Sequence, residues 1–122
     1  MINDGFNIKG RLQIELNGEV VRDIDNLVVN TGKAFVAASM LKTTSNSPAA
    51  MTHMALGSNT TNPAASDTAL GTELSGRVAL TSAAVSGAVV TYIATFAAGV
   101  STGAVVEAGI FNASSGATML CR

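Results

Sequence analysis

The sequence predicts a mainly β protein, a β-sandwich or jelly-roll-like domain of about seven strands with one short α-helix. Three observations point there. Apolar and polar residues alternate with period 2 in several short segments, which places alternate side chains on opposite faces of a strand. Turn signals separate these segments, among them Asn17-Gly18, Gly87 and Asn112–Gly116. Only one segment, Lys33–Leu41, carries apolar residues at helical spacing. Residues 1–122 read as one domain, with a hairpin over about 6–25, a helix over about 32–42 and sandwich strands over about 51–122.

In the first segment Ile8, Gly10, Leu12, Ile14 and Leu16 alternate with Lys9, Arg11, Gln13 and Glu15. This is a half-buried strand. Asn17-Gly18 is a two-residue hairpin signal, since both residues tolerate positive φ, and Glu19–Ile24 is the return strand. Asn30 or Thr31 is the candidate cap of the helix. Within it Ala34, Phe35, Ala38 and Leu41 fall on one face. Thr43–Ala50 is a loop, Met51–Leu56 a short strand, and Gly57–Ser66 a turn-rich loop in which Pro63 forbids regular pairing. Asp67 is a candidate cap for a single turn through Leu70. Gly76–Val85 and Val89–Ala97 read as partner strands about Gly87. Ala104–Phe111 is another strand, and Ala117–Cys121 begins one more.

Charge is scarce and unevenly placed. Charged residues make up 12% of the chain, against about 25% in an ordinary soluble domain. From Thr43 to Arg122 the only charges are Asp67, Glu73, Arg77, Glu107 and Arg122. Small neutral side chains suit a surface that packs on other protein, so the composition points to assembly. The net charge is −1 and there is no basic cluster, so no nucleic-acid partner is expected. The 29 residues Val78–Val106 carry no charge, a length that would span a bilayer. Recurrent Ser and Thr, with Gly87, Gly99 and Gly103, make them buried strands instead, and no membrane partner is expected. The N-terminus has no apolar run of the signal-peptide kind.

No catalytic, cofactor-binding or metal-binding constellation is expected, and the chain reads as a non-enzyme. His53 is the only histidine, no serine lies in a G-x-S-x-G elbow, and there is no phosphate-binding glycine loop. Asp23 and Asp25 read as solvated turn carboxylates. Cys121 is the only cysteine, which reads as a strand residue, an intermolecular disulfide being the other reading. Asn59-Thr60-Thr61 and Asn112-Ala113-Ser114 fit the glycosylation pattern by chance. Glu107 sits between Val106 and Ala108 in an apolar strand, and a buried carboxylate needs a partner. Arg77 or Arg122 is expected to supply it. Phe6, Met51, Met54 and Phe111, with Met1, are candidate interface anchors.

Several segments together resemble tailed-bacteriophage virion structural proteins. They are Asn26-Leu27-Val28-Val29-Asn30-Thr31-Gly32-Lys33 after the hairpin; Met54-Ala55-Leu56-Gly57-Ser58 followed by Ser66-Asp67-Thr68-Ala69-Leu70-Gly71-Thr72-Glu73-Leu74; and Val106-Glu107-Ala108-Gly109-Ile110-Phe111-Asn112-Ala113. The resemblance covers most of residues 17–122. It implies a protein made in the host cytoplasm and located in the virion. The first expectation is a capsid decoration (cement) protein, a homotrimer that binds the major capsid protein on the outer lattice and stabilises it. The alternative is a tail or fibre component contacting neighbouring tail or fibre proteins or the host surface, through loops such as Thr43–Ala50 and Gly57–Ser66. Chains of this kind usually continue past Met119-Leu120-Cys121-Arg122 into another apolar strand, whereas this one stops at Arg122.

Overall fold

The alternating N-terminal segment forms β1 (Gly10–Leu16), paired antiparallel with β2 (Glu19–Asn26). Their turn is set by Asn17 at φ 53° and Gly18 at φ 82°, the two positive angles of a type I′ turn. Leu12 opposes Ile24 and Ile14 opposes Arg22 on one face, while Gln13–Asp23 and Arg11–Asp25 lie on the other. A bulge follows Ile14, and Val21 is left without an opposite residue. The computed structural model describes residues 7–41 and 47–122. Phe6 and Met1 therefore lie outside the described residues, as does most of the Thr43–Ala50 loop.

Past β2 the chain joins the main sheet. Leu27 and Arg122 exchange backbone hydrogen bonds of 2.8 and 2.9 Å, and Val28 bridges Cys121. Helix α1 (Asn30–Leu41) follows. Its first backbone bond runs from Lys33 N–H to Val29 C=O at 3.0 Å. Asn30 and Thr31, expected as the cap, lie inside the first turn. Asn30 N–H donates to Ala65 C=O, and the Thr31 hydroxyl donates to Met119 C=O. The buried contact of the helix is Gly32, where an added Cβ would overlap the Leu120 carbonyl. Ala34 and Leu41, expected on the packed face, are exposed.

Strands β3 (His53–Gly57), β4 (Val78–Ala79), β7 (Glu107–Phe111) and β8 (Met119–Cys121) form an antiparallel sheet in the order β4-β3-β7-β8. One face carries Ala55, Gly57, Glu107, Gly109 and Phe111, all buried. The core gathers there, from Val29, Ala55, Leu70, Phe111 and Met119. The expected strand Gly76–Val85 is two strands. β4 pairs with β3, and the chain then changes partner, so that β5 (Ser82–Ser86) pairs with β6 (Val89–Ile93) in a separate hairpin. Gly87, at φ 58°, takes the first turn position between them. Asp67 caps no helical turn: a reverse turn runs from Ala64 C=O to Asp67 N–H at 3.0 Å.

The chain is mainly β, with eight short strands and one helix among the described residues, and is compatible with a β-sandwich-like fold. No helix among the described residues is long and apolar enough to cross a membrane. The uncharged run 78–106 forms strands, but they are not buried. Every residue of β5 is exposed, and every residue of β6 except Tyr92.

Candidate functional site

The five charges after residue 47 all turn inward, into two clusters. The first is built on Glu107 at the start of β7. Its Oε1 accepts N–H groups of Thr72 at 2.8 Å and Asn59 at 3.2 Å, and its Oε2 accepts Gly71 N–H at 2.9 Å. Arg122 Nε donates to the same Oε2 at 2.9 Å. Arg122 also reaches Asp67 Oδ2 at 2.6 Å and Thr61 C=O at 3.1 Å. The Arg122 and Glu107 side chains are 5% and 4% exposed, so neither charge has water to solvate it. Gly57 leaves the room the carboxylate needs, since a Cβ there would lie 2.6 Å from Glu107 Cγ.

This cluster fastens three turn segments and the 122 position to the sheet. Burial pushes the Glu107 carboxyl up, but the three N–H donors and the Arg122 guanidinium outweigh it and hold the group below its ordinary range. Asp67 is held down by the Ala64 N–H and by Arg122. The expected partner of Glu107 is thus Arg122. Arg77 does not reach it.

Arg77 anchors the second cluster. It makes a forked pair with Glu73, four residues earlier, at 2.7 and 3.1 Å. Its Nη1 donates to Ala113 C=O at 3.1 Å and Gly116 C=O at 3.0 Å, closing the loop before β8. The guanidinium lies over the Phe111 ring, 3.6 Å from its centroid, a cation–π contact on the edge of the core. Phe111 is 1% exposed and Met51 5%, so both belong to the core and are not interface anchors. Their size and β-strand setting fill the interior of a chain poor in large side chains. Met54 is half-buried on the opposite face of the sheet.

Three further groups were less legible. Ser101, at φ 50° and 4% exposed, donates its hydroxyl toward Ser75 and Gly76 carbonyls at 3.1 and 3.0 Å. No spacing in the sequence signals it. Asp23 is not simply solvated: Arg11 and Gln13 hydrogen-bond it and hold its carboxyl at about 2. Cys121 is buried, and burial pushes its thiol up to about 11, which opposes thiolate chemistry and an intermolecular disulfide.

What remains outside is apolar and neutral. Val85, Val89, Val90 and Ile93 of the β5–β6 hairpin are exposed by half or more of their surface, or nearly so, and Val100 and Val106 are exposed nearby in the sequence. On the N-terminal hairpin Leu16, Val20, Val21 and Ile24 are exposed as well. Among the described residues no group of three His, Cys, Asp or Glu side chains is placed to hold a metal ion. Comparison with family models, curated proteins and solved structures finds no match to this chain.

Proposed function

We propose that the chain is a non-enzymatic structural subunit of a bacteriophage virion, acting as a capsid decoration protein. The observation that carries a structural role is the disposition of charge. All five charges of residues 47–122 are used inside, in Glu107–Arg122–Asp67 and Arg77–Glu73. The outer surface of that region is left neutral, and two hairpins expose apolar side chains. Such a surface is poorly suited to a free monomer and well suited to burial against protein, because no charge has to be desolvated on contact. The assignment to a virion rests on the motifs from Asn26 to Ala113 that resemble phage structural proteins.

In this reading the protein joins the outer lattice as a homo-oligomer, on the major capsid protein. Its action is mass action: a ligand that binds only the assembled shell stabilises the shell. The rigid clamps at Glu107 and Arg77 present preformed loops, so little ordering entropy is lost on docking. The test is the copy number of this chain per purified particle, by quantitative mass spectrometry against the major capsid protein. A ratio near one, or a simple fraction of it, is expected. A ratio some tens of times lower would move the chain to the tail or fibre, and absence from the particle would discard the virion reading.

A further inference from the structure

The β5–β6 hairpin is the largest unexplained feature. It is a separate two-stranded sheet, and an isolated two-stranded hairpin is marginal in water at best. Ala83 opposes Tyr92 and Val85 opposes Val90 on one face, a face with no polar side chain apart from the tyrosine hydroxyl. On the other face Val89 and Ile93 stand among Ser82, Ala84, Ser86 and Thr91. No charge lies on either face or along either free edge, and charge is the usual protection of an exposed edge.

The total surface agrees. The chain exposes 8038 Å². A compact monomer of 12.3 kDa is expected to expose about 6,100 Å². The hairpins contribute to this surplus of roughly 1,900 Å². One partner gives up about 800 Å² in a standard interface, so the surplus is of the size that two interfaces per chain remove.

From this we infer that the β5–β6 hairpin is a self-association arm, packed on both faces by hairpins of further copies of this chain around a common axis. The inference rests on the chain being an assembly subunit. Charge complementarity selects a second copy as the occupant: the surface of residues 47–122 is as neutral as the arm, so copy-on-copy contact strands no ion. Two apolar faces select a ring. A twofold contact buries the same patch on both subunits and leaves the other face wet, whereas a cyclic assembly of about three or more copies covers both.

The test is the mass of the full-length protein in solution, by sedimentation and light scattering. Wild type is expected as a fixed ring. The pairs Val85→Glu/Val90→Glu and Val89→Glu/Ile93→Glu, one per face, are each expected to lower the mass toward the single-chain 12.3 kDa. The chain has no Trp, so Val90→Trp adds an apolar reporter that does not depend on the charged variants folding. Its emission is expected to be blue-shifted in the ring and to move red on dilution. A single-chain wild type, charged pairs that leave the ring intact, or a solvent-exposed emission from the Val90→Trp variant within the ring would each overturn the inference. A ring held by another surface would do so without touching the virion reading. Absence from particles, with the ring and its variants behaving as described, would sink the virion reading and leave the arm standing.

Discussion

At the scale of residues, the account turns on Glu107. A carboxylate that is 4% exposed is tolerable only because three backbone N–H groups and Arg122 use both its oxygens. Removing one member of a buried pair leaves the other desolvated and unpaired, at about 3–5 kcal/mol. Glu107→Ala is therefore expected to lower stability by about that amount, read from the urea midpoint. Acid should act on the same contacts. Glu107 and Asp67 are held below their ordinary values of 4.5 and 3.8. Their stabilisation is then fully present above those values and lost as pH falls through the lower folded ones. Wild type should lose stability below about pH 4.5 more steeply than Glu107→Gln, which has no proton to take up. Equal slopes for the two proteins would contradict the assignment.

At the scale of elements, Gly32 decides how α1 docks. Alanine is the better helix former by roughly 0.5–1 kcal/mol. However, its Cβ would overlap the Leu120 carbonyl, and overpacking costs about 1–3 kcal/mol. Crowding should win, so Gly32→Ala is expected to lower the melting temperature; a rise would show that the helix can lift off β8 freely. Elements set by local chemistry were legible in the sequence. The Asn17-Gly18 turn was one, because the demand for two positive φ angles is carried by the turn residues themselves. The pairing need of Glu107 was another, because a lone carboxylate in an apolar strand has few alternatives. Features that depend on distant partners were not legible. Gly76–Val85 gives no local sign that it leaves β3 for β6 after Ala79. Lack of charge in 78–106 suggests burial, but an apolar strand says only that something covers it, not that the same chain does. Met51 and Phe111 show the converse, since large apolar residues look alike at a core and at an interface.

At the scale of the whole molecule, the chain is a small clamped body with its charge inside and two strand pairs outside. The arrangement accounts together for low charge, large surface and short strands. It separates two kinds of region: loops fixed by Glu107 and Arg77 before any partner arrives, and a β5–β6 arm that gains its cover only from neighbours. Hydrogen exchange of the chain alone in dilute solution, compared with the chain on its particle, tests that division most directly. The Gly71 and Thr72 amides, which donate to Glu107, should be slow in both states, and the outward amides of Ser82–Ser86 and Val89–Ile93 should slow only on assembly. Arm amides that exchange equally fast in both states, or Gly71 and Thr72 amides that exchange freely in the lone chain, would contradict it.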